Sequence, residues 1–401
     1  MTKSYLVAPE WLIDGTGSPY RKGMVIRIEE GMIVSVTDGA RLSDTDRSHG
    51  DTVDLHGFTI LPGLIDSHVH LVMSGSEDPV FRERQMAFDY PEAVQQIQYH
   101  LKEQFRYGVM AVRDGGDKHG FTLQFRDALY HPDREPFVSA VFAGKAWHRE
   151  GRYGGLIGRP PASSRDLAQA LTEEGTDTDV IKIVNSGLNS LKQFGRQTSP
   201  QFQTEELREL VRAAGEMGRK VMVHANGTEP VAITIDAGCD SVEHGFFMER
   251  ENIEKMAERG TAWVPTAVTM AAYSRVMQSD PVVSGIARKN LDRQLEQLRF
   301  ARECGARTVV GTDAGSPGVH HGRGMIEEMK LFMDAGYSLE ETVMRATSAG
   351  AELLGLTKVG RLQTGMDATF LAVPGPPSHL PDSLDSLAMI CCRGRMVYKK
   401  Q

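Results

Sequence analysis

Cysteine is scarce, four residues in 401. Cys239, Cys304 and the adjacent Cys391 and Cys392 are too few for a disulfide framework and lack thiolate metal-ligand spacing. No apolar run approaches the ~20 residues that span a bilayer. The N-terminal segment Met1-Thr2-Lys3-Ser4-Tyr5-Leu6-Val7-Ala8-Pro9 carries no apolar stretch of signal-peptide length. Positive charge is not in excess: 45 Lys and Arg against 53 Asp and Glu give a formal net charge of -8, with a pI near 5.9. A nucleic-acid footprint needs a basic patch, so no nucleic-acid or membrane partner is expected. What remains is a cytoplasmic chain that can bury a large core, as one big domain with an appendage or as two domains. Self-association into a homo-oligomer is left open.

Against that background one pair of residues stands out. His68 and His70 end the run Thr59-Ile60-Leu61-Pro62-Gly63-Leu64-Ile65-Asp66-Ser67-His68-Val69-His70. The run reads as a buried strand, and residues i and i+2 of a strand point to one face. Both imidazoles therefore project together, where they can grip one divalent ion.

Four later apolar segments each carry a potential ligand. Val180-Ile181-Lys182-Ile183-Val184 holds a lysine, Lys220-Val221-Met222-Val223-His224 and Ser241-Val242-Glu243-His244-Gly245 carry histidines, and Thr308-Val309-Val310-Gly311-Thr312-Asp313 ends in an aspartate. Each alone is equally compatible with a satisfied core histidine, a snorkelling lysine or a helix N-cap. Four repeats at helix-sized intervals read as a metal site. The strands Val109–Arg113, Val138–Ala143 and Thr261–Pro265 complete a set of about eight. Helical signals lie between them: Thr204 as an N-cap ahead of Leu207, Leu210, Val211 and Ala214, and a capping box of Ser338 and Glu341. The reading is an α/β fold, a (β/α)8 TIM barrel over residues 61–356, with chemistry at the strands' C-terminal ends. Residues 1–60 and 357–401 have strand character, with a hairpin turn at Glu30-Gly31.

In order and combination, Leu61-Pro62-Gly63-Leu64-Ile65-Asp66-Ser67-His68-Val69-His70, Val112-Arg113-Asp114-Gly115-Gly116, Ile181-Lys182-Ile183, Val223-His224-Ala225, Val242-Glu243-His244-Gly245 and Gly311-Thr312-Asp313-Ala314-Gly315 resemble the amidohydrolase superfamily. The resemblance spans nearly the whole chain and is strongest to the branch of imidazolonepropionase-like proteins, metal-dependent prolidases and arginine carboxypeptidases. It implies that the two chain ends join into one small β-sandwich beside the barrel. It also implies two divalent metal ions, zinc first, with manganese or iron as alternatives. A lysine desolvated among Ile181, Ile183 and Val184 should have a lowered pKa. In binuclear relatives this lysine is carboxylated by carbon dioxide, so Lys182 would bridge the ions as a carbamate. His68, His70 and Asp313 would complete one site, His224 and His244 the other. A water between two metals loses a proton near neutral pH, and Asp313 is the expected general base and then acid.

The expected reaction is hydrolysis of a C–N bond in a small molecule such as an N-acyl amino acid or dipeptide; esters, lactones and carbamates are open to the same machinery. For substrate contacts the resemblance selects His148 in the Gly-rich loop Gly144–Gly155. Arg152 offers a donor fork for a carboxylate. Asn226 and, in the family's His-Gly, His321 are the other candidates. His224-Ala225-Asn226 departs from prolidase-like relatives, which commonly have tyrosine after His-Ala, and this puts a Xaa-Pro substrate in doubt. The alternatives are a mononuclear deaminase of an aminated heterocycle, for which Glu229 has the wrong spacing, and a metal-free scaffold.

Overall fold

The computed structural model describes residues 4–42, 51–162, 166–174 and 177–399. The chain folds as a TIM barrel with a β-sheet appendage built from both chain ends. The apolar run ahead of His68 is not one strand but two. Asp51–Pro62 belongs to the appendage and Leu64–Val69 opens the barrel. The break falls at Gly63, where a Cβ would sit 2.4 Å from Met110 Cγ; Pro-Gly punctuates a run whose hydrophobicity is otherwise continuous.

Both chain ends contribute to one eight-stranded sheet. Asp51–Pro62 runs parallel to Ser4–Leu12 on one side and antiparallel to Phe370–Pro374 on the other. The hairpin of Met24–Glu29 and Met32–Asp38 turns at Glu30 and Gly31, with φ of 51° and 84°. Two successive left-handed residues give the primed turn whose twist suits paired strands. Val7, Ile26, Ile28, Ile60, Phe370 and Cys391 form a core separate from that of the barrel.

In the barrel, Leu64–Val69, Val109–Asp114 and Ser139–Phe142 pair in parallel, as do Val180–Val184, Lys220–Ala225, Ser241–His244 and Ala262–Val264. The segment before Asp313 bridges the seventh strand and the first: Val309 N donates to Trp263 O at 2.8 Å and Asp313 N to His68 O at 2.7 Å. Asp179 N and its carboxylate tie the fourth strand to Phe142 of the third, both at 2.9 Å. These strands are buried on both faces, which explains their near-continuous apolar sequence.

Helices Tyr90–Arg106, Phe121–Leu129, Thr204–Glu216, Thr228–Asp236, Glu249–Arg259 and Pro281–Glu303 are among those that clothe the barrel. Leu207 and Leu210 are fully buried, as the 3.6-residue pattern requires. Thr204 is the first residue of its helix rather than the N-cap; Gln203 caps, its N–H bonded to Glu206 at 2.8 Å. Ser338 and Glu341 do form a capping box. No helix among the described residues is long and apolar enough to cross a membrane.

Candidate metal centre and active site

His68, His70, Lys182, His224, His244 and Asp313 line one cavity of about 210 Å³. The potential ligand atoms of His68, His70 and Asp313 all lie within 4.8 Å of one another. Asp313 Oδ1 is 3.4 Å from His70 Nε2 and 3.7 Å from His68 Nε2. The His244 ring lies 5.1 Å from that of His68 and 4.6 Å from that of His224. Lys182 is fully buried on the fourth barrel strand.

Each imidazole is oriented by a bond on its far side. His68 Nδ1 donates to Glu243 at 2.6 Å, His70 Nδ1 to Gly116 O at 2.9 Å, and His244 Nδ1 bonds Thr266 Oγ1 at 2.7 Å. His224 is turned the other way, with Nε2 on Gly187 O at 3.2 Å. One nitrogen of each ring is thus fixed, leaving a lone pair on the other for a metal, as such partners do in metal sites.

Glu243 and Arg113 fall within the sequence motifs, where their types alone suggest no role; the structure gives them one. Arg113 Nη2 donates to Glu243 Oε1 at 2.8 Å, Ser241 Oγ to the same oxygen at 2.5 Å, and Arg113 Nε to Ser67 O at 2.8 Å. Burial acts to raise the Glu243 carboxyl, but Arg113 and the His68 bond overcome it and hold the group well below the usual carboxylate range. A polar side chain inside each of two apolar strands was the signal available in the sequence.

The electrostatics suit a cation. Burial lowers His68 to about 4 and His224 to about 3, aided by the charge of Lys182, and drives His244 well below its ordinary value. These rings are neutral at pH 7, as metal ligands must be. Burial also lowers Lys182 to about 8, against the pull of Glu243. Burial opposes charge on Asp313 and His70 alike, but their mutual bond, with the neighbouring histidines, depresses Asp313 strongly and raises His70. A metal ion between these groups would supply the positive charge that an ionised Asp313 favours. His68 Nε2 and Lys182 Nζ are buried with no hydrogen-bond partner among the described residues. Buried polar atoms without partners are costly, so the donor set fits a divalent ion.

The four expected substrate contacts fare differently. Asn226 lines the cavity, but Oδ1 accepts from Phe246 N at 3.0 Å and its N–H bonds Ser186 Oγ at 2.9 Å, so it braces the loop. Arg152 is exposed, donates to Ser199 O at 2.9 Å and lies outside the cavity lining. His148 is buried, with Nδ1 on Arg149 O at 3.0 Å and its ring against Gly154, and is also outside the lining. His321 stacks on His100 with centroids 4.0 Å apart and holds Met73 O at 2.9 Å, supporting the turn after His70 without reaching the cavity. Spacing cannot tell which way a loop side chain faces. Among the lining residues that sequence reasoning did not single out are Arg82, Tyr153 and Tyr273. The Tyr153 ring is 5.3 Å from that of His224, and no periodic pattern marked it.

This barrel, with histidines at the ends of its first, fifth and sixth strands, a lysine within the fourth and an aspartate closing the segment that bridges the seventh to the first, belongs to the amidohydrolase family, whose sequence profile matches residues 59–395. The chain is therefore a hydrolytic enzyme of the class acting on C–N bonds. It is similar to an uncharacterized protein of Mycobacterium tuberculosis, 26% identical over 353 residues covering 86% of each chain. The ochratoxinase of Aspergillus niger is 25% identical over 402 residues, 91% of this chain and 80% of the relative. Among solved structures, a Xaa-Pro dipeptidase with methionine bound in its active site superposes with a TM-score of 0.82 at 26% identity, over 99% of this chain and 100% of the other.

Proposed function

We propose that the chain hydrolyses the C–N bond of a small-molecule amide with two divalent metal ions, zinc first among the candidates. The observation that carries this reading is Lys182: a fully buried amine, lowered to about 8, whose Nζ has no partner among the described residues. A neutral amine adds carbon dioxide, releasing one proton, and the resulting carbamate is an anionic bridging ligand. His68, His70 and Asp313 would hold one ion and His224 and His244 the other, with the Lys182 carbamate between them. When bound, the ions polarise the scissile carbonyl and lower the pKa of water.

The chain's own residues do the rest. Asp313 Oδ2 is held by Ser316 Oγ at 2.9 Å, which fixes the carboxylate while Oδ1 faces His68 and His70. Held ionised, it accepts the proton of the attacking water and passes it to the departing nitrogen. Arg113 and Glu243 keep His68 in the tautomer with a free Nε2. Leu188, Leu191, Phe246 and Met270 wall the cavity and exclude water around the reacting groups. A mononuclear deaminase would leave Lys182 without a task.

Elemental analysis of chelator-free protein tests the reading, together with turnover of a panel of N-acyl amino acids. Two equivalents of metal per chain and amide turnover are expected. One equivalent with turnover of aminated heterocycles, or no metal uptake even with added bicarbonate, would overturn it.

A further inference from the structure

The cavity lining contains two basic residues besides its histidines, Lys182 at the metal centre and Arg82 on the helix Pro79–Gln85. Arg82 is tethered through one nitrogen alone. Nη1 donates to Ser74 O at 2.7 Å, Gly315 O at 3.1 Å and Ser76 O at 3.4 Å. Nε and Nη2 make no hydrogen bond, and the guanidinium forms no ion pair among the described residues. Neither nitrogen is sealed from the cavity as a buried orphan. Three carbonyls therefore fix the orientation of a charged fork whose second edge is uncommitted. Such an edge matches a carboxylate, which takes two parallel N–H bonds from arginine.

Much of the remaining wall is apolar, formed by Leu156, Ile157, Leu188, Leu191, Phe246 and Met270 beside the polar Asn189, Thr269 and Tyr273. Leu156 and Leu188 are 53% and 57% exposed, so the apolar surface continues outward at the mouth. Exposed large apolar side chains gathered at a cavity mouth mark a place where something apolar is bound.

Resting on the amide-hydrolase reading, we infer that the substrate is an N-acyl amino acid with a free carboxylate and a bulky apolar acyl group, the carboxylate seated on Arg82 and the acyl group against the leucine wall. The cleaved amide lies between them, over the metal centre. Arg82 is a specificity-determining residue, taking the place that the sequence reading gives to Arg152.

The test uses full-length, metal-loaded protein with N-naphthoyl-leucine, N-acetyl-leucine and the C-terminal carboxamide of the first. Wild type should prefer the acid to its carboxamide by about 10- to 100-fold in kcat/KM, the usual worth of a hydrogen-bonded charge pair. It should also prefer naphthoyl to acetyl. Arg82→Gln should bring acid and carboxamide to within about 3-fold by losing the acid alone. Calorimetric binding of the same acid and carboxamide, under conditions of no turnover, reads the same discrimination without chemistry. Binding that discriminates while nothing is cleaved would sink the hydrolase reading and keep the Arg82 assignment. Equal handling of acid and carboxamide by wild type, or an Arg82→Gln loss that is equal for both, would overturn the assignment and leave Arg82 as a loop brace.

Discussion

Glu243→Gln probes the charge network beneath the metal centre. Three donors converge on that carboxylate, from His68, Ser241 and Arg113, and both charged partners are buried. An amide keeps an acceptor for one donor and turns an N–H against another. It also leaves the Arg113 guanidinium, only 2% exposed, without a counter-charge. Breaking a buried pair from one side costs about 3–5 kcal/mol, a large share of a typical total of about 5–15. Arg113→Met makes the converse error and should cost about the same. The double variant leaves neither charge uncompensated, and an unbranched methionine and a glutamine together keep most of the volume of the original pair. Its loss should fall short of the sum of the single losses by about 2 kcal/mol or more. Urea unfolding of the metal-free proteins, followed by circular dichroism, measures the three differences. Chelator competition should show metal affinity about 10- to 100-fold weaker in Glu243→Gln. Additive losses in the cycle would refute the account of a coupled pair that holds His68 in place.

Three further outcomes are expected. Asp313→Asn should cut turnover by at least about 10²- to 10⁴-fold, because the proton-transferring group is lost while the shape is kept; near-normal turnover would remove its assigned role. Lys182→Ala should retain fewer than two metals per chain, and bicarbonate with a short carboxylic acid should restore part of the activity; full metal content and full rate would defeat the carbamate. Glu328 is buried and accepts from Ala267 N at 3.0 Å and Val268 N at 2.6 Å, and burial raises its pKa to about 8. A raised carboxyl binds its proton more tightly when folded, so its stabilisation is complete below about 4.5 and fades as pH rises through about 8. Glu328→Gln, which cannot accept from both N–H groups, should be destabilised most at pH 5 and progressively less toward pH 8.5. A gap that widens with pH would contradict that sign.

Much of the barrel was legible because its rules are local and periodic. A period of two puts His68 and His70 on one face, and a lysine in the apolar run Val180–Val184 has nowhere to go but inward or to the rim. The loops were not legible on that basis. His148, Arg152 and His321 have the right chemistry at plausible positions, but contacts with Arg149, Ser199 and His100 decide where they point. The split at Gly63 escaped for a related reason. Ile60, Leu61, Leu64 and Ile65 are equally apolar, and only sheet pairing assigns the first two to the appendage and the last two to the barrel. Arg82 lies on a short helix beyond the motif, where nothing in the sequence separates a substrate anchor from a solvated cation.

The backbone at the strand ends explains why ligand placement and substrate choice are separable. Two candidate ligands, His244 and Asp313, have φ of 70° and 57°, and Thr266, which bonds His244, has 47°. A non-glycine residue pays roughly 1–2 kcal/mol for that left-handed conformation. It persists here because the surroundings over-determine it. Trp263 Nε1 donates to His244 O at 2.9 Å, Gln294 reaches the same oxygen, and Asp313 N is held by His68 O. Each sharp turn swings a side chain from the strand end toward the barrel axis, and its cost is met by buried barrel contacts rather than by the loops. Arg82, Tyr153, Leu156 and Leu188 sit instead on loop segments and a short helix held by scattered bonds, such as Arg82 Nη1 to Ser74 O and Gln201 Nε2 to Tyr153 O. Substitutions there alter what enters the cavity without moving His68, His244 or Asp313, so relatives with this barrel can share a metal centre and differ in substrate.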